Sequence, residues 1–386
     1  MTDITPPATR PDLSLAALLR LSCAYAIATN GTILMPLIVG ALMRRFGVGE
    51  DAATGIGALE IAGIAISCAV FPRWIARAPR RLAWLATLGT LAAQAASAWM
   101  PSLAAVGGAR LVTGLFEGVL FVVVAASLAN RPAGERAWGV IILVSGVIDC
   151  ALLVAAYAMP EDVVARWVFV VIAAAFALFA LPSALAGADA GAPSQASARA
   201  GAATHWRVLL PIWVVMMLVY SVLSAQWALA DVVGRQLHLP PERIGPLLAL
   251  VSLLGTVGAL AASHQRSHEL RRPIVRAAAA LMGSAALWFF LARGWGDFFA
   301  TQLLVSFAYY AVTPFLTSRI SALDADGSLL SRSIVITFVA AALGTAVAGT
   351  ALTQLGPLGC GLALGACALL AIPFTGRAFG AQARGA

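Results

Sequence analysis

Long apolar runs recur along this sequence from Leu13 to Phe374, each bounded by arginine, proline or acidic residues. Crossing the hydrocarbon core of a bilayer takes roughly 20 apolar residues in a helix, and many of these runs are that long. Composition agrees: 61% of the 386 residues are hydrophobic and 11% are charged, against about 25% charged in an ordinary soluble domain. So few charges cannot cover a water-exposed surface. In lipid every backbone polar group needs an internal partner, so spanning segments are helices or closed barrels. Barrel strands alternate in polarity over roughly ten residues, and no such alternation is present. The expectation is an all-α membrane protein of twelve transmembrane helices. The runs are 14–42, 52–72, 82–100, 103–128, 137–158, 164–185, 207–230, 244–263, 274–293, 297–318, 333–354 and 357–376.

A stretch from Ser183 to Trp206, rich in Ala, Gly and Ser, separates the first six runs from the last six. That composition reads as a flexible linker. The expected organisation is an N-terminal six-helix bundle over 1–185, a cytoplasmic linker over 186–206 and a C-terminal six-helix bundle over 207–386. Arginine placement orients it. All 25 basic residues are arginine, and with the N-terminus inside, eighteen fall on the cytoplasmic side and six outside, Arg110 lying within a run. Positive charge accumulates on the cytoplasmic side, so both termini are expected inside.

The net charge of +8 would point to nucleic acid in a soluble protein. Here the arginines sit in short loops between apolar runs, and no nucleic-acid partner is expected. The five cysteines (Cys23, Cys68, Cys150, Cys360 and Cys367) lie in apolar runs without metal-ligand spacing, so they read as buried thiols and no metal is expected. A phosphate-binding loop needs a lysine that the chain does not have. No nucleophile, base and acid fall into a catalytic pattern, and the histidines (His205, His238, His264 and His268) lie in loops or at the ends of runs. The chain reads as a non-enzyme without a cofactor. Residues 1–12 are polar and Pro-rich, unlike a cleavable signal. The lack of lysine with abundant alanine suggests a GC-rich bacterial genome, hence a bacterial inner membrane.

An ionised side chain inside hydrocarbon is costly, so Glu60, Arg110, Glu117 and Asp149 are functional candidates. At roughly 1.5 Å per residue, Asn30, Glu60, Arg110 and Asp149 fall in one depth band slightly outside the midplane, with Glu117 about two turns further in. Arg110 keeps its proton and needs a carboxylate or a solute anion beside it, and Glu60 or Asp149 could pair with it. Three acids against one base leave at least one carboxyl free to carry a proton. Glu117 and Asp149 rank first for that role and Glu60 third. Asn30 reads as a helix–helix hydrogen bonder or a solute contact. The second half has few buried charges. Its candidates for solute contact are Tyr220, Gln226, Trp227, Tyr309 and Tyr310. Gln302 and Thr337 are further mid-span polar residues, and Asp231 reads as a solvated helix end. Gly114-x-x-x-Gly118 and Gly361-x-x-x-Gly365 permit close helix packing.

Over its whole length the chain resembles the major facilitator superfamily. The resemblance lies in the six-plus-six arrangement and in the loop after the second run. There Pro72-Arg73-Trp74-Ile75-Ala76-Arg77-Ala78-Pro79-Arg80-Arg81 stands against the family's Gly-x-x-x-Asp-Arg-x-Gly-Arg-Arg. Arg77, Arg80 and Arg81 match the basic positions of this cytoplasmic gate motif, whereas Ala76 and Pro79 replace its acid and glycine. Arg110-Leu111-Val112-Thr113-Gly114 resembles the Arg-x-x-x-Gly pattern of the fourth span. Span 5 reads Ser145-Gly146-Val147-Ile148-Asp149-Cys150, without the Gly-Pro pair of many drug/proton antiporters. The resemblance implies a multi-pass, monomeric secondary transporter of a small organic solute, working by alternating access and coupled to protons by symport or antiport. Two other readings are a drug-efflux antiporter and a transport-inactive scaffold or sensor on the same fold.

Overall fold

The computed structural model describes residues 13–75, 77–128, 131, 134–189, 206–262, 269–323 and 328–379, and these residues form helices without a strand. The first half holds α1 (Leu15–Ile33), α2 (Met35–Phe46), α3 (Glu50–Val70), the short α4 (Pro72–Ile75), α5 (Pro79–Ala96), α6 (Leu103–Leu128), α7 (Gly134–Tyr157), α8 (Glu161–Ala177) and α9 (Ala180–Leu185). The second half holds α10 (Trp206–Ala228), α11 (Ala230–Gln236), α12 (Pro241–Gly255), α13 (Arg271–Phe290), α14 (Trp295–Ser321), α15 (Ser328–Leu369) and α16 (Ala371–Ala378).

Among the described residues eight helices are long and apolar enough to cross a bilayer alone, and ten spans result when each bent pair is taken as one. The twelve-span reading also counts α5 as a crossing and divides α15 at Gly356. The backbone leaves the helix there, with φ 67° and ψ 178°. Gly356 tolerates that positive φ, and Pro357 withholds the N–H that would continue the ladder.

Two runs expected as continuous helices are broken. The first bends by 50° between α1 and α2, and the sixth by 63° between α8 and α9. In each case a proline lies just past the bend, Pro36 in α2 and Pro182 in α9. A proline ring has no N–H and collides with the carbonyl four residues back, here Thr32 and Leu178, so the helix axis turns at that point.

The expected linker also starts too early. Ala186–Ala188 form a 3₁₀ turn after α9, and the Gly187 backbone packs directly on Pro79 and Arg80. Arg20 then holds Asp189 through two N–H···O bonds of 3.0 and 2.8 Å. Compositional bias toward Ala and Gly here reflects close packing, because a larger side chain at Gly187 would meet backbone. Residues 190–205 and Ala76 lie outside the described residues.

Glycine brings α3 and α6 together. A Cβ on Gly114 would strike the Glu60 carbonyl, one on Gly118 would meet the Ile64 carbonyl at 2.7 Å, and one on Gly63 would meet the Leu111 carbonyl at 2.5 Å. The Ser67 hydroxyl donates to the Leu115 carbonyl at 2.6 Å across the same crossing. Small residues at a membrane interface let backbones approach and gain dispersion contact. Gly361 and Gly365 play the corresponding part where α15 meets Leu287 and Gly283 of α13.

The halves meet along two seams. α3 lies on α15, where the Gly349 N–H approaches the Thr54 hydroxyl at 3.3 Å. α7 lies on α12, where the Cys150 thiol points at the Ala249 carbonyl at 3.5 Å and Gly245 admits the Tyr157 ring. The cysteines are free, four of them buried.

Because Gly114 abuts backbone rather than a movable side chain, Gly114→Ala should separate α3 from α6. Overpacking of this kind typically costs about 1–3 kcal/mol. Thermal denaturation of the purified protein in detergent should show a lower midpoint for Gly114→Ala and little change for the same substitution at Gly108, where nothing lies within 4 Å of the added Cβ.

Candidate functional site

The α3–α6 crossing sets the site. Gly114 lets the helices touch, so Glu60 on α3 and Arg110 on α6 come into direct contact. Both are fully buried, and the Arg110 Nη1 donates to Glu60 Oε1 at 2.9 Å. The same nitrogen donates to Gln94 Oε1 of α5 at 2.6 Å. Nη2 donates to the Ser97 and Thr113 hydroxyls at 2.8 and 3.0 Å. The guanidinium carbon lies 4.4 Å from the centre of the Phe169 ring on α8. One cation thus ties α3, α5, α6 and α8 together. Its fork geometry is what permits several directed bonds from a single charge.

Glu117, two turns along α6, reaches the other face of Glu60. The two carboxyl groups are close neighbours, since Asn30 and Gly31, adjacent on α1, meet Glu117 and Glu60 respectively. Asn30 of α1 donates from Nδ2 to Glu117 Oε1 at 2.7 Å and also to the Ile27 carbonyl at 2.7 Å. The second oxygen of Glu60 and of Glu117 has no donor among the described residues. Glu60 is seated against Gly31, where a Cβ would come within 2.5 Å of its carboxyl carbon. Asn30, Glu60, Arg110 and Glu117 therefore form one buried cluster, with Glu60 as the anion beside Arg110.

Asp149 is not part of it. It shares the expected depth but is carried by α7 on another side of the bundle. It is 0% exposed, and neither carboxyl oxygen has a hydrogen-bond partner among the described residues. It lies within electrostatic range of Tyr25 on α1, as do Tyr220 and Tyr310. Depth alone could not separate these two places, because a one-dimensional register says nothing of which neighbour a helix face meets.

In the second half Tyr220 and Tyr309 meet edge-to-face with centroids 4.8 Å apart, and Tyr309 and Tyr310 lie 4.9 Å apart. Trp227 is committed elsewhere: its indole N–H donates to the Ile33 carbonyl at 3.0 Å, at the α1–α2 bend. Gln226 is buried, and neither amide atom has a partner among the described residues. Arg77, Arg80 and Arg81 are exposed and make no ion pair with a described residue.

Asp231 overturns its expected role as a solvated helix end, being 1% exposed. Arg235 donates to it at 2.9 Å, Arg44 at 3.4 Å and the Tyr157 hydroxyl at 3.0 Å. Arg235 also reaches Glu161 at 3.0 Å. This network joins α2, α7 and α8 to α11 at the end that the arginine distribution assigns to the exterior. Arg45 beside it donates to the Ser97, Ala98 and Met100 carbonyls. Several of the outer arginines are thus spoken for by structural partners. Sequence reasoning missed this network, whose only signal is acids and arginines at helix ends distant in the chain.

The backbone course is that of the major facilitator fold. No family model matches the chain, and no curated protein matches it in sequence. Solved structures do match over nearly its whole length. The human organic anion transporter MFSD10 (TETRAN) is 19% identical with a TM-score of 0.64, over 94% of this chain and 98% of that one. A D-xylose–proton symporter is 14% identical with a TM-score of 0.69, over 93% and 96%. The nucleoside transporter NupG is 11% identical with a TM-score of 0.69, over 94% and 98%. At these identities the likeness shows the fold, and the chain is a multi-pass membrane protein with it.

Breaking one side of a buried ion pair strands the other charge, at a cost of about 3–5 kcal/mol. Arg110→Leu should therefore lower the unfolding midpoint strongly. Arg110→Leu combined with Glu60→Leu should recover part of the loss, which a thermal denaturation series on both variants will measure.

Proposed function

We propose that this protein is a secondary active transporter of a small organic solute, coupled to protons and working by alternating access between two six-helix bundles. The carrying observation is the Glu60–Glu117 pair. Two neighbouring buried carboxyl groups resist simultaneous ionisation, and a proton held by the pair would remove one of the two negative charges. With that proton the cluster is neutral, counting Arg110 as positive and Glu60 as negative. Without it, the cluster holds an uncompensated buried charge, which hydrocarbon penalises by several kcal/mol. Loading and unloading the proton therefore favours different packings around α1, α3 and α6.

The route from the pair to a gate runs through α1. Asn30 binds Glu117, its own carbonyl accepts the Leu34 N–H at 2.8 Å on the bend, and α2 beyond the bend carries Arg44 of the outer network. Displacing Asn30 would shift the bend and the Arg44–Asp231 contact with it. The closed outer network supports a state shut toward the exterior. Arg77, Arg80 and Arg81 would act at the opposite face. The arginine asymmetry supports cytoplasmic termini in a bacterial inner membrane, and the transporter neighbours support a non-enzymatic role.

Proteoliposomes enclosing a pH-sensitive dye, challenged with a panel of metabolites and organic ions, should reveal a solute whose entry moves protons. Glu117→Gln should abolish proton movement and uphill accumulation while retaining counterflow of the same solute. Solute flux by the unmodified protein that ignores an imposed pH gradient would rule out the coupling.

A further inference from the structure

We infer that Asp149 and the tyrosines Tyr25, Tyr220, Tyr309 and Tyr310 form a binding site for a small organic cation, an amine or quaternary ammonium; this rests on the transporter reading above. Of the protein's five tyrosines, Tyr220, Tyr309 and Tyr310 form a continuous edge-to-face run between α10 and α14. Tyr25 of α1, packed on Phe121 and Trp138, lies within electrostatic range of Tyr220, Tyr310 and Asp149. Tyr25, Tyr220, Tyr309 and Tyr310 are each half-buried.

Asp149 supplies the charge. Its carboxylate is fully buried, and neither oxygen has a hydrogen-bond partner among the described residues. Its chain neighbour Cys150 lies within electrostatic range of Tyr310, which puts this turn of α7 near that ring. An unpaired buried carboxylate is costly, and structural carboxylates in this protein are answered by arginine or amide donors, as Glu60, Glu117 and Asp231 are. Asp149 has no such answer, which leaves the place of its counter-ion open. Ring faces attract ammonium groups through their quadrupole, most strongly where water is excluded. Carboxylate and ring faces together select a cation with an apolar shell.

The same cluster disfavours an anion. Arg110, the cation at comparable depth, is 0% exposed, hydrogen-bonded to Glu60, Gln94, Ser97 and Thr113, and covered by Phe169. It offers no free face to a solute. Phe121 and Phe338, packed at right angles 5.0 Å apart across the halves beside Tyr25, close one side of the site with further ring surface.

The test uses the full chain in detergent and in proteoliposomes with three probes of similar size: benzyltrimethylammonium, phenylethanol and phenylpropionate. Calorimetry should detect the cation binding in preference to the alcohol and the anion. Asp149→Asn should weaken cation binding by about tenfold or more, the scale set by leaving a desolvated charge unpaired. Tyr220→Phe should retain binding and Tyr220→Leu should weaken it, since ring faces and not hydroxyls do the work. The Tyr220 pair keeps the test decisive if Asp149→Asn fails to fold. Equal or tighter binding of either uncharged or anionic probe, binding by Asp149→Asn at the original affinity, or no binding of the cation would each overturn the site. A cation that binds but never crosses the liposome membrane would overturn the transporter reading and leave the site standing.

Discussion

A guanidinium that cannot lose its proton sits fully buried in a helix surrounded by hydrocarbon, and much of the first half is arranged around that fact. Insertion of an arginine at mid-membrane costs about 2.5–3.5 kcal/mol even on the most lenient scale. Arg110 meets the cost with one carboxylate, an amide oxygen, two hydroxyls and a ring face. Each partner comes from a particular helix, so satisfying the charge fixes how α3, α5, α6 and α8 sit. The glycines at the α3–α6 crossing are the steric condition for it: without Gly114 against the Glu60 carbonyl, the carboxylate would stand too far away.

A second carboxyl group beside the first changes what the cluster can do. Arg110 and Glu60 alone would be a lock between helices. Glu117 adds a group whose charge has no fixed counterpart, held by the Asn30 amide at the bend of α1. The bend exists because Pro36 interrupts the ladder, and the helix beyond it ends in Arg44 and Arg45. A change in the protonation of the pair is thus mechanically close to the contacts that join the two halves at their outer end. Those contacts combine Asp231, Arg235, Tyr157, Arg44 and Glu161, charges that exchange partners more readily than apolar packing does.

Asp149 stands in a different relation to its surroundings. The two acids in the Arg110 cluster are answered by side chains of the protein, and Asp231 is answered three times over. Asp149 has no such partner among the described residues and lies within electrostatic range of Tyr25. The division separates a place where charge is managed internally from a place where it is left for something else.

How much of this was readable before folding depends on what information each feature carries. The all-helical membrane fold followed from span length, hydropathy and the arginine count, because the bilayer imposes the same one-dimensional requirement on any chain that crosses it. The intramembrane Glu60, Arg110, Glu117 and Asp149 stood out for the same reason: their cost depends on depth, and depth is readable along a helix. Pairing is not. Whether Arg110 would take Glu60 or Asp149, whether Trp227 would face a solute or cap the Ile33 carbonyl, and whether Asp231 would be solvated or enclosed all turn on which helix faces meet. Those are set by glycine contacts between segments 50 or more positions apart, such as Gly114 against Glu60. The sequence alone determined which charges must be neutralised; only the tertiary structure decided which partner does it, because neutralisation acts across space between helices whose order in the chain does not state their neighbours.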